Sequence, residues 1–205
     1  MRWIRFSRVA IISLLLMLAL PLTAQDDDDD GSPVTDSFIA YDGEVTDTIT
    51  DDSLTIPNLL GRYETYLQKN RHWLLKDAPR RADLRIYEAV YHFNLYMYLV
   101  QFLRRRGGQV YPEFSTGNGK IDLIIHYAGQ QYGLELKSFA DNFGYKEALR
   151  QAAHYGQQLA LSEITVVFFV EAIDETNRGK YEIAYVDQAT GVSVRPVFVQ
   201  TGATD

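Results

Sequence analysis

The chain contains no cysteine, and this absence excludes several kinds of site at once. Without thiols there is no disulfide framework, no cysteine-bound zinc and no lipid-modified N-terminal cysteine. The four histidines share no metal-binding spacing, and the sequence has neither an H-E-x-x-H motif nor a nucleophile elbow. Zinc-hydrolase and serine-hydrolase chemistry therefore find no support.

A second absence is that of basic residues between positions 25 and 61, where eleven acids occur without a single lysine or arginine. Five of the acids form the run Asp26–Asp30. Like-charged segments of low hydrophobicity do not bury enough apolar surface to order themselves. The sequence predicts an acidic disordered linker over residues 25–55, and weak calcium binding by the aspartate run is the alternative.

The N-terminus has the pattern of a secretory signal. Arg2, Arg5 and Arg8 precede an uncharged, mostly apolar run of 16 residues from Val9 to Ala24. A membrane-spanning helix needs about 20 such residues, so we predict a signal peptide over residues 1–24, with cleavage near Ala24. The expected location is outside the cytoplasmic membrane, secreted or at the cell surface. An uncleaved N-terminal anchor is the alternative.

The remaining residues suffice for one compact domain with its own core. The periodicity predicts a helical lead-in over residues 56–81, a long helix from Asp83 to Arg106 and another helix from Tyr145 to Leu161. Strands are predicted over 109–115, 119–127, 130–138 and 163–171, the last of them central in a sheet. Two edge strands are predicted over 180–187 and 192–199, with a polar turn from Asp174 to Lys180 and a short tail over 201–205.

Chemistry is most clearly indicated by Asp122, Glu135 and Lys137. A two-residue turn near Ala128-Gly129 would place Asp122 directly opposite Glu135 or Lys137, so that all three side chains share one face of a β-hairpin. A three-residue loop would put Asp122 on the other side. The strands are apolar enough to be interior, and interior carboxylates need a metal or a partner. Carboxylates suit Mg²⁺ or Mn²⁺, and a cation beside the metal stabilises charge developing on phosphorus.

The region from Glu88 to Tyr155 resembles the PD-(D/E)XK nuclease superfamily, in particular the branch of domains attached to AAA-type ATPase regions. The resemblance rests on E-A-V-Y-H at 88–92, Glu113, G-K-I-D at 119–122, E-L-K at 135–137 and Q-A-A-H-Y at 151–155. Ile121-Asp122 replaces the family's proline-aspartate pair. The resemblance implies an α/β fold over residues 82–200. Its restriction-endonuclease-like core has a mixed central sheet in helix-strand-strand-strand-helix-strand order, flanked by helices and followed by additional C-terminal strands.

The resemblance also implies site roles. Asp122 and Glu135 would be metal ligands, Lys137 the catalytic lysine, Glu88 an accessory glutamate and further ligand, and Gln151 a residue that reaches toward the site. For Glu88, the residues alone suggest three partners: a metal, a lysine or His92. Glu113 is either a further acid of the site or an exposed strand residue.

Candidate nucleic-acid contacts are Lys120, Gly119, Tyr155, Arg104 and Arg105. Gly119 either permits close approach of a nucleic-acid backbone or simply makes the turn. The arginines at 104–106 either bind phosphate or stabilise the end of their helix. The expected function is Mg²⁺- or Mn²⁺-dependent hydrolysis of nucleic acid, with DNA as the expected substrate. The alternatives are a relative that binds nucleic acid or a protein without cutting, and an exported scaffold with neither activity.

Overall fold

The structure is a computed structural model that describes residues 45–116 and 119–203. The predicted signal peptide and most of the predicted linker lie outside the described residues. The described residues form four helices: α1 (Ile56–Leu74), α2 (Glu88–Arg104), α3 (Asn142–Gln158) and α4 (Glu175–Tyr181). Six strands make up one sheet: β1 (Gln109–Ser115), β2 (Lys120–Tyr127), β3 (Gln130–Ser138), β4 (Glu163–Val170), β5 (Tyr185–Val186) and β6 (Ser193–Gln200). The fold is therefore a mixed α/β fold, as predicted.

The sheet has the order β1-β2-β3-β4-β6-β5. The strands β1, β2 and β3 are antiparallel neighbours, β3, β4 and β6 are parallel, and β5 runs antiparallel to β6. A parallel step needs a crossover connection, and α3 supplies it between β3 and β4. Its N-cap Asp141 accepts a hydrogen bond from Gly144 N, which satisfies one of the free N–H groups of the first turn.

Helices cover both faces of the sheet, and β4 shows why. Its sequence, EITVVFFV, is apolar at nearly every position, as expected for a strand buried on both sides. Val167 and Phe169 join the core beneath α1 and α2. Val166 and Phe168 join the core beneath α3. The prediction that this strand lies in the interior of the sheet is confirmed.

Residues 45–55, which we assigned to the linker, are packed against the domain. Thr48, Ile49 and Leu54 are buried, and Ile49 forms an antiparallel bridge with Leu54. The Tyr127 hydroxyl donates to the Thr50 carbonyl at 2.6 Å. The prediction of disorder from acidic composition missed the two apolar side chains, Ile49 and Leu54, that belong to the core.

The long helix is shorter than predicted and begins at Glu88 rather than Asp83. Arg80 forms an antiparallel bridge with Ile86, and Leu84 has a φ of +66°. These conformations are incompatible with a helix. Leu84, which lies within the predicted helix, is 73% exposed.

The C-terminal part of the fold also differs from the prediction. The expected polar turn over 174–180 is the helix α4, whose N-cap Asp174 accepts a hydrogen bond from Asn177 N. The expected strand over 180–187 shrinks to β5, with two residues. The strand expected over 192–199 is β6, which lies between β4 and β5 rather than at the edge. Side-chain capping by Asp174 favours a helix start that hydropathy does not reveal.

Beyond Val194, the outer edge of β6 has no strand partner among the described residues, because β5 pairs only with Ser193 and Val194. Two carboxylates take its place: Phe198 N donates to Glu182 Oε1 at 2.6 Å, and Gln200 N donates to Glu64 Oε1 at 2.9 Å. Arg178 donates to the same two oxygens and to the Phe198 carbonyl. We call Glu64, Arg178 and Glu182 the Arg178 cluster. It satisfies a strand edge that would otherwise be open to another chain.

Candidate active site

The hairpin of β2 and β3 has the predicted turn. Tyr127 pairs with Gln130, so Ala128 and Gly129 alone form the turn. Both have positive φ, 49° and 74°, as a type I′ hairpin requires. The predicted two-residue turn is confirmed, and this register, if continued past Leu123, would set position 122 opposite position 135.

The two strands separate at the position of Asp122. Their last register pair is Leu123 with Leu134, although β2 continues to pair with β1 as far as Lys120. The Asp122 carboxylate takes the place of the lost backbone partner, because Leu136 N donates to Asp122 Oδ2 at 2.8 Å. We call this divergence of β2 from β3, beginning at Asp122, the fork.

The next N–H group of β3 on the same side belongs to Ser138, and Glu88 accepts it. Ser138 N donates to Glu88 Oε2 at 2.9 Å, which brings the first residue of α2 to the end of β3. Unpaired backbone N–H groups are costly when buried, so each carboxylate has a structural role. The partner of Glu88 is thus a backbone group that the sequence analysis did not consider.

Glu135 and Lys137 lie beside the fork. Leu134 and Leu136 enter the core beneath α1 and α2, so by alternation Glu135 and Lys137 face the α3 side. Lys137 Nζ donates to Glu135 Oε1 at 2.6 Å. Glu135 is 2% exposed, and its Oε2 is buried without a hydrogen-bond partner. A buried, unpartnered carboxylate oxygen is costly unless something binds it.

Burial and charge together perturb the ionisation of this pair. Burial raises the pKa of Glu135 to about 7, and the nearby Asp122 carboxylate adds to the rise, while Lys137 opposes it. Burial acts against the charged form of Lys137, but Glu135 and Asp122 outweigh it and hold the pKa of Lys137 above its ordinary value. Glu88 contributes in the same direction to both residues. The three acids and the lysine therefore share one electrostatic environment.

Each of the three acids uses one oxygen within the protein and keeps the other free of hydrogen bonds to described residues: Asp122 Oδ2, Glu88 Oε2 and Glu135 Oε1 are engaged. Carboxylate oxygens are the ligands that Mg²⁺ and Mn²⁺ prefer. No group of three or more His, Asp or Glu residues within the described ranges is already gathered around a point that could hold a metal ion. The donor set fits a Mg²⁺ ion bound by one or two carboxylates, which commonly keeps waters and takes substrate phosphates.

Gln151 and Tyr155 lie on α3, one turn apart, and bind each other: Gln151 Nε2 donates to Tyr155 Oη at 2.7 Å. The tyrosine ring packs on Gly119, where an added Cβ would lie 2.9 Å from Tyr155 Oη. Gly119 therefore permits close approach of a tyrosine ring. The structure brings Gln151 to Tyr155 and not into hydrogen bonding with the acids.

Lys120 binds Glu113 across the first two strands, with Lys120 Nζ 3.1 Å from Glu113 Oε2. Pro112 pairs with Leu123 and Phe114 with Ile121, so the register sets position 113 opposite position 122. Glu113 has a φ of 50°, an unusual conformation for a strand residue other than glycine. The side chain of Lys120 is 59% exposed and is open to a ligand.

Arg104 and Arg105 lie at the opposite end of α2 from Glu88. A rise of about 1.5 Å per residue separates the two ends of this helix by roughly 24 Å. Both arginines are exposed. Arg106 Nη1 donates to the Phe102 carbonyl, which supports the helix-end role for that residue. A ligand bound at the fork therefore contacts Arg104 and Arg105 only if it extends well beyond the fork.

His92 and His126 each keep a buried ring nitrogen without a hydrogen bond. For His92 this atom is Nε2, and the hydrogen bond that Glu88 accepts comes from Ser138 N rather than from His92. His126 Nε2 is likewise buried and unpartnered, and its ring contacts Tyr111 at a centroid distance of 5.0 Å.

The backbone N–H groups of Leu136 and Ser138 were missed by sequence reasoning, which treats acids as ligands and not as caps. An acid at the position where two strands stop pairing would indicate that its carboxylate binds a backbone N–H group. No residue pattern shows where the pairing stops, so these N–H groups could not be predicted. Arg85 was also missed as a neighbour of the site; its Nη1 donates to the Phe139 carbonyl at 3.3 Å.

No protein-family model matches this chain, and no curated protein matches it. Across the described ranges, no helix combines the length and apolarity needed to cross a membrane.

Proposed function

We propose that this protein is a Mg²⁺- or Mn²⁺-dependent nuclease that hydrolyses phosphodiester bonds, with DNA as the expected substrate. The observation that carries the proposal is the buried, unpartnered Oε2 of Glu135 beside the fork, where Asp122 and Glu88 also keep one oxygen free. The sequence resemblance to the PD-(D/E)XK superfamily assigns metal and catalytic roles to the same residues. A restriction-endonuclease-like core is part of this proposal, and the order of helices and strands from α2 to β4 agrees with it.

In the proposed site, Asp122 and Glu135 hold the metal, with Glu88 as a further acid. A bound divalent ion would neutralise the scissile phosphate and lower the pKa of a water molecule. The backbone N–H groups of Leu136 and Ser138 fix the orientation of Asp122 and Glu88, so that their carboxylates need little rearrangement on binding.

Lys137 provides the positive charge at the phosphate. Its ammonium group is held by Glu135, and the side chain as a whole is 26% exposed, so the proposal places it within reach of a substrate oxygen. The raised pKa of Lys137 keeps the group protonated at neutral pH. A fixed cation of this kind stabilises the negative charge that grows on the phosphoryl oxygens as the water oxygen bonds to phosphorus and the ester oxygen leaves.

The test is cleavage of plasmid DNA by the purified protein with Mg²⁺ or Mn²⁺. Asp122→Ala and Lys137→Ala should each lose activity by at least about 100-fold, because each removes a group needed in the transition state. Glu163→Ala and Arg195→Ala are matched controls, since they break an ion pair of 2.9 Å at the start of β4 and β6. Equal cleavage by the native protein and both site variants removes the assignment.

One observation favours a second candidate, a nucleic-acid-binding protein without hydrolytic activity. All three acids already have a partner within the protein, two on backbone N–H groups and one on Lys137. Carboxylates engaged in this way can serve the fold alone. Tight DNA binding without metal-dependent turnover would support this candidate.

A further inference from the structure

The segment before α2 forms a tight loop beside the proposed site. Arg80 and Ile86 form an antiparallel bridge, and Arg81 N donates to the Arg85 carbonyl at 2.8 Å. This arrangement places Leu84 at the tip, 73% exposed and with a φ of +66°. The loop leads directly into Tyr87, which is 47% exposed, and then into Glu88 at the fork.

A second loop, between β3 and α3, contacts the first. Arg85 Nη1 donates to the Phe139 carbonyl at 3.3 Å. Asp141 then caps α3, and Phe143 in the first turn of this helix is 74% exposed. The two loops thus meet at the end of β3, where Ser138 binds Glu88, and both present large apolar side chains to solvent.

Arginines accompany the exposed apolar groups. Arg80 donates to the Leu84 carbonyl at 2.8 Å, and Arg85 binds Asp83. Three arginines and a single acid, Asp83, lie within residues 79–87, so the loop carries a net positive charge next to an acidic site. We call this set, which is exposed except for the half-buried Arg85, the arginine–aromatic rim: Arg80, Arg81, Leu84, Arg85, Tyr87 and Phe143.

We propose that the arginine–aromatic rim binds single-stranded nucleic acid and delivers it to the fork. This inference rests on the proposed nuclease function and names the form of its substrate. Exposed aromatic faces stack on unpaired bases, while cations follow the phosphates. In a regular duplex the bases are stacked inside, so only the phosphate backbone reaches the rim. Tyr87 and Phe143 then have no base on which to stack.

The experiment measures the Kd of a fluorescent 12-nucleotide oligothymidine and of the matching duplex by anisotropy. It uses the full chain in EDTA, to prevent cleavage, at one fixed salt concentration. We expect the single strand to bind more tightly, and Tyr87→Ala and Phe143→Ala each to weaken its binding by about tenfold. Val186→Ala is the matched control, because Val186 is 55% exposed and lies on the edge strand β5, three strands from β3; its Kd should equal that of the native protein.

Three outcomes would overturn the rim proposal. The first is an equal Kd for the native protein, Tyr87→Ala and Phe143→Ala. The second is a lower Kd for the duplex than for the single strand, with the aromatic substitutions changing the Kd of the single strand and of the duplex by the same factor. The third is loss of binding to anionic phospholipid vesicles in these variants while oligonucleotide affinity stays constant, which would assign the rim to a lipid surface.

The same variants keep this inference distinguishable from the proposed function. Cleavage of plasmid DNA together with an equal Kd for all variants removes the rim and leaves the nuclease. Selective loss of single-strand binding in a protein that never cleaves removes the nuclease and leaves the rim as a binding surface.

Discussion

Carboxylates cap unpaired strand N–H groups at two places in this sheet, at the fork and at the outer edge of β6. At the outer edge, Glu64 and Glu182 each give one oxygen to a backbone N–H and to Arg178. At the fork, Lys137 binds only Glu135 among the three acids, and Glu135 Oε2 has no partner. In the first arrangement one guanidinium therefore binds both capping carboxylates, whereas the capping carboxylates of the fork, Asp122 and Glu88, form no ion pair with a described residue.

Under the proposed function, the difference separates a structural role from a functional one. The same buried caps could have been made at the fork with a balancing arginine, as in the Arg178 cluster. Instead the pKa of Glu135 is raised to about 7, first by burial and then by Asp122. Strongly perturbed ionisation in a polar cluster is typical of functional sites, and a divalent cation is the simplest way to balance it.

The largest expected effect comes from removing one charge while keeping the cap. Asp122→Asn retains an oxygen to accept Leu136 N, so we expect the free energy of unfolding to change by less than about 1 kcal/mol. Metal-dependent cleavage should fall by about 100- to 1000-fold, since a neutral amide is a poor ligand for a hard cation. Cleavage assays and urea unfolding measure the two effects. Glu182→Gln is the matched change at the outer edge of β6 and should leave cleavage intact; a similar loss of cleavage there would break the comparison.

The next effect concerns stability alone. Arg178→Met removes the cation shared by Glu64 and Glu182, whose side chains are 20% and 25% exposed. Two half-buried carboxylates would then be left without a counter-charge, so we expect a loss of about 2–4 kcal/mol in the free energy of unfolding. Urea unfolding gives the value. Arg195→Met, at a more exposed pair, should cost less than about 1 kcal/mol. Comparable losses in the two variants would mean that the Arg178 cluster contributes no more than an exposed ion pair.

The sequence predicted the turn of the β2–β3 hairpin but not the fork, where the two strands separate. The turn at Ala128-Gly129 and the alternation along β2 and β3 are local, and local patterns determine register. At the fork, however, an N–H group of β3 is accepted by Glu88, which lies 50 residues from Ser138 in the sequence, and no local pattern predicts such a contact. Because such contacts are not local, the sequence predicted a site role for Glu88 but not its hydrogen bond with Ser138 N.

The C-terminal elements illustrate a different limit. The segment 175–181 is polar and carries no apolar periodicity, so it was assigned to a turn, yet capping by Asp174 and the contacts of Arg178 hold it as a helix. Likewise, Ile49 and Leu54 lie in an acidic segment whose composition predicts disorder, yet both side chains are buried and the Tyr127 hydroxyl binds the Thr50 carbonyl between them. Both cases depend on tertiary contacts that overrule composition.

The ionisation of Glu135 gives a pH-dependent prediction for the metal-free protein. Its pKa rises from 4.5 to about 7 on folding, so the folded state holds this proton more tightly than the unfolded state. The resulting stabilisation is complete below pH 4.5, declines as the pH rises to about 7, and is absent above that. It amounts to at most about 3 kcal/mol. Urea unfolding in EDTA at several pH values measures it.

Glu135→Gln serves as the control for this prediction, because the amide oxygen still accepts from Lys137 but does not titrate. This variant should lack the decline between pH 4.5 and 7 and should be more stable than the native protein at pH 8. An unchanged pH profile in Glu135→Gln would show that Glu135 ionises normally, and the contrast between the fork and the Arg178 cluster would lose its electrostatic basis.

The smallest expected effect concerns Glu113, a third strand carboxylate, which lies across from position 122 and binds the exposed Lys120. Glu113→Gln removes an exposed ion pair and should change the free energy of unfolding by less than about 0.5 kcal/mol. Glu113→Gly relieves a φ of 50° and should gain up to about 1 kcal/mol. Cleavage by Glu113→Gln decides between the two interpretations of this residue. Activity equal to that of the native protein makes Glu113 an exposed strand residue, whereas a loss as large as that of Asp122→Asn adds a fourth acid to the site and extends it from the fork onto β1.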